Sequence, residues 1–139
     1  GQRCRCLECE CGMSQPIQKT AKELLTPFRF LIEAALAHAG GTHDYFDIVQ
    51  AVQDSKMFFW PGEKSCIVTE IIQYPKKRAL HVFLAAGDLE EIKGMEPSLV
   101  EFATSLKCDA ISLTGRNGWK KALNGIGYTP AHLTLVKEL

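Results

Sequence analysis

The sequence predicts an α/β (α+β) domain with a mixed central sheet and helices on both faces. Residues 19–53 carry apolar side chains at helical spacing, whereas residues 56–86 carry β-branched and aromatic residues in strand-length runs. The segment 78–128 then alternates strand, helix, strand and helix. In such a βαβα unit the two strands are expected to run parallel, because a helix crosses between them. The predicted sheet therefore has three antiparallel strands, then a parallel one.

The chain of 139 residues is long enough for one domain with its own core. We assign residues 13–139 to that domain, because Met13 resembles a translation start, and treat residues 1–12 as an atypical leader. Four cysteines fall in the leader: Cys4, Cys6, Cys9 and Cys11. Their C-x-C-x-x-C-x-C spacing also offers four thiolate ligands for zinc, although zinc ribbons use two separated C-x-x-C pairs. Both interpretations stay open, and no metal ligand is assigned in the domain.

Charge and hydropathy exclude several classes of partner. Sixteen basic and sixteen acidic residues cancel, so composition shows no electrostatic footprint for nucleic acid or an anionic membrane. No apolar run approaches a membrane span, and no signal-peptide pattern is present. We therefore expect a cytoplasmic protein with no nucleic-acid and no membrane partner. In that compartment Cys66 and Cys108 are predicted to be buried free thiols.

Two helical regions precede the sheet. The first covers residues 19–39, with a fresh helix start at Thr26-Pro27 and an exit at Gly40-Gly41. The second covers residues 43–53, and its apolar side chains are predicted to face inward with those of the first. Both helices are interpreted as core packing.

Three antiparallel strands follow, joined by a hairpin at Pro61-Gly62 and a turn at residues 74–77. The third strand is largely apolar on both faces, which predicts a central position covered on both sides. Strict alternation places Leu80, Val82, Leu84 and Ala86 on one face, and Ala79, His81, Phe83 and Ala85 on the other.

The remaining elements complete the βαβα unit. A helix is predicted to begin near Pro97, followed by a short strand at residues 109–115. Asn117 is a good N-cap for the next helix, whose inward face is Trp119, Ala122, Leu123 and Ile126, and which Gly127 ends. The last segment, residues 128–139, is predicted to be a strand with Leu133 and Leu135 on one face.

The loop 87–96 is the best candidate ligand site in the residue pattern. Gly87 permits a turn at the strand end, and Gly94 permits close approach of the backbone. N–H groups at the start of the following helix are suited to a pyrophosphate. An ordinary βα connection is nevertheless the better interpretation of the pattern alone, because glycines are common in such loops. The loop is also acidic, which opposes binding of an anion, and its acidic residues are Asp88, Glu90, Glu91 and Glu96.

The element order αα–βββ–α–β–α–β resembles the GNAT superfamily of acyl-CoA-dependent N-acyltransferases, without its first strand. Residues 91–96 fall where that family has its pyrophosphate pattern [QR]-x-x-G-x-[GA], but only Gly94 matches. The segment from Asn117 to Gly127-Tyr128 resembles the family helix that ends in G-[FY]. The family's general-acid tyrosine falls at Leu123, which cannot donate a proton.

Three segments resemble small bacteriophage and prophage proteins with a GNAT-like fold: WPGEKSCIVTEI, YPKKRALHVFLAAGDLEEI and TGRNGWKKALNGIGY. This resemblance implies either of two functions. One is acyl transfer to a small-molecule or protein amine; the other is a non-catalytic virion or assembly role with other phage proteins. It also implies a location in the host cytoplasm or in the virion.

For the enzyme, the resemblance implies an acetyl-CoA or other acyl-CoA cofactor. Amine attack on a thioester needs a base, for which Glu70 and His81 are the candidates, although a solvated glutamate and a hydrogen-bonded core histidine are the simpler interpretations. Tyr128 is a candidate proton donor, and Cys108 has no neighbour that would activate it. An arginine beside a helix start suits a phosphate. The candidate cofactor-binding residues are Ala85, Ala86, Gly87, Gly94, Met95, Arg116 and Asn117.

Overall fold

The computed structural model describes residues 19–114, 119, 122–123 and 125–139. Its elements, in chain order, are α1 (Ala21–Leu25), a 3-10 turn (Thr26–Phe28), α2 (Arg29–Leu36), α3 (Tyr45–Gln53), β1 (Phe58–Pro61), β2 (Cys66–Tyr74), β3 (Lys77–Ala86), α4 (Leu89–Ser105) and β4 (Ala110–Leu113). A new helical segment begins at Thr26-Pro27, as predicted, but it is a 3-10 turn with Leu25 in the N-cap position, and the α-helix that follows begins at Arg29.

Helix starts are set by side-chain caps. The Thr20 hydroxyl accepts a hydrogen bond from Glu23 N, and the Glu23 carboxylate accepts from Thr20 N, which forms a capping box ahead of α1. Asp44 and Asp47 do the same ahead of α3. Beyond α2, Gly40 and Gly41 adopt positive φ angles of 78° and 75°, which confirms the predicted glycine exit.

The four strands form one mixed sheet in the order β1-β2-β3-β4. β1 pairs antiparallel with β2, β2 antiparallel with β3, and β3 parallel with β4. The predicted hairpins and the parallel pairing of the βαβ unit are therefore confirmed. β3 is central, with β2 on one side and β4 on the other.

The prediction of strict alternation along β3 is wrong beyond Val82. Val68 pairs with Leu84 and Thr69 with Val82, so Phe83 has no partner and forms a β-bulge. The extra residue reverses the parity of the strand. Leu84 and Ala86 consequently pack with the core beneath α2 and α3, whereas Leu80, Val82 and Ala85 pack on the opposite face.

Each face of the sheet has its own core, as predicted. On one face Leu25, Ile32 and Ile48 of the three N-terminal helices bury completely against residues such as Val68 and Leu84. On the other face Ile92, Leu99 and Ala103 of α4 pack on Ile67, Leu80 and Val82. Burying one such aliphatic side chain contributes about 1.5–3 kcal/mol. The sheet is thus held from both sides.

Helix α4 begins at Leu89, so the prediction of a start near Pro97 is wrong. Asp88 is its N-cap, and Pro97 lies inside the helix. Leu89, Ile92, Met95 and Leu99 share one helical stripe, and burial of Ile92, Met95 and Leu99 against the sheet outweighs the one backbone hydrogen bond that proline removes. The predicted ligand loop is therefore mostly helix.

The end of the chain departs from the prediction. Trp119, Ala122 and Leu123 are helical, and Gly127 has φ 98° at the helix exit, as expected. Leu123 is buried, but Ile126 is 43% exposed, so its predicted inward position is wrong. The predicted C-terminal strand is also wrong: residues 128–139 adopt no regular element.

Within the described ranges, no helix has the length and apolar character needed to cross a bilayer.

Candidate functional site: the cleft between β3 and β4

A cleft opens where β3 and β4 stop pairing. The two strands pair from Ala79–Ala110 to Val82–Leu113, and β3 then continues to Ala86 while β4 ends. A cavity of about 320 Å³ lies at this divergence. Its wall is mostly apolar, and is formed by Ala35, His38, Ala39, residues 81–85, Leu113, Thr114 and Trp119. The bulge at Phe83 lies in this wall, so it shapes the opening.

His81 is the titratable group of the cleft wall that the sequence singled out. Its Nδ1 atom lies 2.9 Å from Ser112 Oγ on the neighbouring strand. Burial lowers the pKa of His81 from its ordinary value of 6.5, and the negative charge of Glu70 opposes that shift. His81 is therefore neutral at neutral pH, which is the form that accepts a proton.

Glu70, His81 and Ser112 form a row across three adjacent strands. Glu70 is opposite His81 in the β2–β3 register, and His81 is opposite Ser112 in the β3–β4 register. Directly paired residues lie on the same face of a sheet, so the three side chains are neighbours. The two candidate bases are thus brought together. Ser112 was missed, because a serine in a short strand carries no signal until the register is known.

The start of α4 is acidic, and one of its N–H groups is capped by the protein's own carboxylate. The Asp88 carboxylate accepts a hydrogen bond from Glu90 N at 3.0 Å. The Glu91 carboxylate accepts from Glu63 N at 2.8 Å and from Lys64 N at 2.9 Å, which ties it to the β1–β2 hairpin. Ser65 and these N–H groups lower the pKa of Glu91, so it is charged at neutral pH. This helix end therefore presents carboxylates where the sequence predicted an anion site.

Gly87 serves the packing of the hairpin. Its φ is 116°, and a Cβ atom there would lie 2.6 Å from Ser65 Cα. The buried Ser65 hydroxyl accepts a hydrogen bond from Asp88 N at 2.8 Å and lies 3.3 Å from the Asp88 carbonyl oxygen. Gly87 thus permits a close approach of the end of β3 to the β1–β2 hairpin, not to a ligand.

Gly94 and Met95 lie in the interior of α4, not in a loop. Gly94 is exposed, and a Cβ atom added there would have no neighbouring atom within 4 Å. Met95 packs on the α4-side core. In a helix their N–H groups are bonded to carbonyls four residues earlier. Ala85 is in the cleft wall, and Ala86 packs beneath α2 and α3.

Tyr128 lies against α4, away from the cleft wall. Its hydroxyl donates to Glu96 Oε2 at 3.2 Å. Burial raises the pKa of Tyr128, and the Glu96 charge and hydrogen bond raise it further, so the phenol retains its proton. The structure does not bring Tyr128 together with Glu70 and His81.

Arg116 and Asn117, and the four cysteines of the leader, lie outside the described residues. Cys66 is a fully buried free thiol, as predicted, and burial raises its pKa to about 12. Cys108 is a free thiol as predicted, but it is only half-buried, so the prediction that it is buried is wrong. In the part of the chain that the structure describes, no group of three His, Cys, Asp or Glu side chains is placed to hold a metal ion.

Solved structures share this architecture. TTHA1254 from Thermus thermophilus, as a single-residue mutant, matches with a TM-score of 0.55 and 15% identity over 73% of this chain and 84% of that chain. A tetramutant of BH1408 from Bacillus halodurans matches with a TM-score of 0.53 and 15% identity over 70% of this chain and 76% of that chain. No protein-family model and no curated protein matches the sequence. At this identity the likeness shows the fold alone, a mixed α+β domain.

Proposed function

We propose that this chain is a GNAT-like phage or prophage protein without acyl-transfer activity, which serves as a virion or assembly component. The observation that carries the proposal is the state of the α4 N-terminus. A pyrophosphate needs unpaired N–H groups and a favourable potential at a helix start. Here Asp88 accepts from one of those N–H groups, and Glu90 and Glu91 add negative charge in the first turn.

A second feature supports the same function. The only glycine of the family-like segment 91–96 is Gly94, which lies within α4, where its N–H group is part of the helix. The general-acid position carries Leu123, which is buried and has no proton to give. The chain therefore lacks the usual GNAT residues both for binding the cofactor and for donating a proton to the leaving thiolate.

The second candidate function is acyl-CoA-dependent N-acyl transfer to a small-molecule or protein amine, and the cleft favours it. His81 is neutral, half-buried and next to an opening of about 320 Å³. A neutral imidazole there is suited to take the proton of an attacking amine. Glu70, the other candidate base, lies beside it in the register and stabilises the protonated imidazole that results.

Calorimetry with acetyl-CoA separates the two candidates. We expect no binding heat at millimolar acetyl-CoA for the full chain. We expect the same for Asp88→Asn, which keeps an N-cap oxygen but removes one negative charge from the helix start. Binding by the unmodified chain would overturn the non-catalytic proposal. In that case turnover with Glu70→Gln and His81→Ala identifies the base, and unchanged rates in both variants would reject the assignment of either residue.

A further inference from the structure

The C-terminal segment, residues 129–139, presents apolar side chains to solvent. Leu133, Leu135 and Val136 are 80%, 84% and 74% exposed. Leu133 and Leu135 alternate with Thr134, which is a strand pattern with one apolar face. The segment nevertheless adopts no regular element in the single chain. We call residues 129–139 the C-terminal arm.

β4 is an edge strand. It pairs with β3 on one side, and its other side has no strand partner among the described residues. An open edge offers unpaired N–H and C=O groups to an added strand. Ile111 and Leu113 of β4 contribute to the core beneath α4, while Ala110 and Ser112 lie on the opposite face. On the α4 face of the sheet, the row of apolar side chains therefore ends at Ile111 and Leu113 of β4.

The arm matches this edge in an antiparallel register that places Thr134 opposite Ser112. In that register Leu135 is opposite Ile111 and Leu133 is opposite Leu113, so the apolar row continues onto the arm. Thr134 and Ser112 form a hydroxyl pair on the other face. Lys137 falls opposite Asp109, which gives charge complementarity at the end of the strand. Shifting the arm by one residue would turn both leucines to the wrong face.

We propose that two copies of this chain exchange their C-terminal arms, each arm adding an antiparallel strand to the β4 edge of the other copy. One chain carries both the open edge and the strand that fits it, so a twofold arrangement satisfies both copies at once. In the single chain the arm does not pair with its own β4, and Tyr128, immediately before it, is held on α4 by Glu96. The proposal does not depend on whether the cleft binds a ligand.

Light scattering at increasing protein concentration tests the exchange. We expect a dimer, and we expect Leu135→Asp to weaken it by at least about tenfold, because the variant puts a charge into the shared apolar row. The matched control is Leu139→Asp, an exposed leucine of the same arm that lies beyond the end of β4 in this register. Equal dimerisation of the two variants, or a monomer at all concentrations, would overturn the proposal.

An engineered disulfide tests the register and separates exchange from pairing within one chain. Ser112→Cys with Thr134→Cys places two thiols opposite each other, at a separation that a disulfide spans. In a background with the four leader cysteines changed to serine, we expect oxidation to give a covalent dimer on a non-reducing gel. A monomer that has lost both thiols would mean that the arm pairs with its own chain, and a dimer that does not cross-link would mean that it forms through another surface. Either result would overturn the proposed exchange.

Discussion

The α4 N-terminus and the cleft between β3 and β4 both lie next to the last residues of β3, yet they differ in whether they leave space and free polar groups for a ligand. At the helix start, Asp88 and Glu91 accept hydrogen bonds from Glu90, Glu63 and Lys64. At the cleft, β3 stops pairing with β4 after Val82, and an opening of about 320 Å³ remains. A helix N-terminus is a ligand site only where its own sequence leaves its N–H groups free.

The largest effect that would test this comparison concerns two glycines that the sequence assigned to one ligand site. Gly87→Ala is expected to lower the free energy of unfolding by at least about 2 kcal/mol, since its φ is 116° and the new Cβ meets Ser65. Gly94→Ala is expected to raise it by about 0.5–1 kcal/mol, since Gly94 is exposed within a helix with open space around it. Urea unfolding of both variants measures the difference.

The same substitution at two positions makes the result easy to interpret. If Gly87→Ala were neutral, the tight contact between β3 and the hairpin would be wrong. If Gly94→Ala were destabilising, residue 94 would not be in a helix, and the loop of the sequence prediction would be restored. That second outcome would also reopen the case for a pyrophosphate site.

A smaller effect is expected at the serine that joins the hairpin to the α4 start. Ser65 is fully buried, and its hydroxyl accepts from Asp88 N. Ser65→Ala leaves that N–H group without its partner, so we expect a loss of about 1–3 kcal/mol in the free energy of unfolding. Ser105→Ala is the control at the other end of α4, because that hydroxyl is exposed and donates to Phe102 O. Its effect is expected to stay within about 0.5 kcal/mol. Equal losses of stability in the two variants would contradict the conclusion that the Ser65 hydroxyl holds the start of α4 to the hairpin.

The fold was largely predictable because its signals are local and periodic. The change from helical to strand spacing near Lys56 and the two turns gave the antiparallel strands correctly. The apolar run 79–86 gave a central strand. The helix between two strand-like segments gave the parallel pairing of β3 with β4. Each of these predictions depends on a repeat of 3.6 or 2 residues in the chain itself.

The parts that failed depend on contacts that no local pattern reports. The bulge at Phe83 exists because of the register between β2 and β3, and it moves Leu84 to the other face. Pro97 and Gly94 indicated a loop, yet burial of Ile92, Met95 and Leu99 against the sheet keeps them helical. In the candidate site, Glu70 and His81 were predicted as alternative bases, whereas their direct pairing and the place of Ser112 required the strand registers.

The smallest predicted effect is a change in the pKa of His81, which lies in the wall of the cleft. Proton NMR titration of His81 is expected to give a pKa below its ordinary 6.5, because burial disfavours the imidazolium. The Glu70 charge raises that pKa, so Glu70→Gln is expected to lower it further. A midpoint at or above 6.5 in the unmodified protein would mean that the His81 imidazole in the cleft wall is not desolvated.

The same shift fixes how stability depends on pH. Well above pH 6.5 His81 is neutral in the folded and unfolded chains, so it contributes no slope. As the pH falls below 6.5 towards the folded pKa, the unfolded chain binds a proton that the folded chain does not, and the free energy of unfolding decreases. His81→Gln removes this component, so the difference in stability between the two proteins is expected to change only in that window. A difference that is constant with pH would show that the imidazole is not held neutral, and the cleft would lose its candidate base.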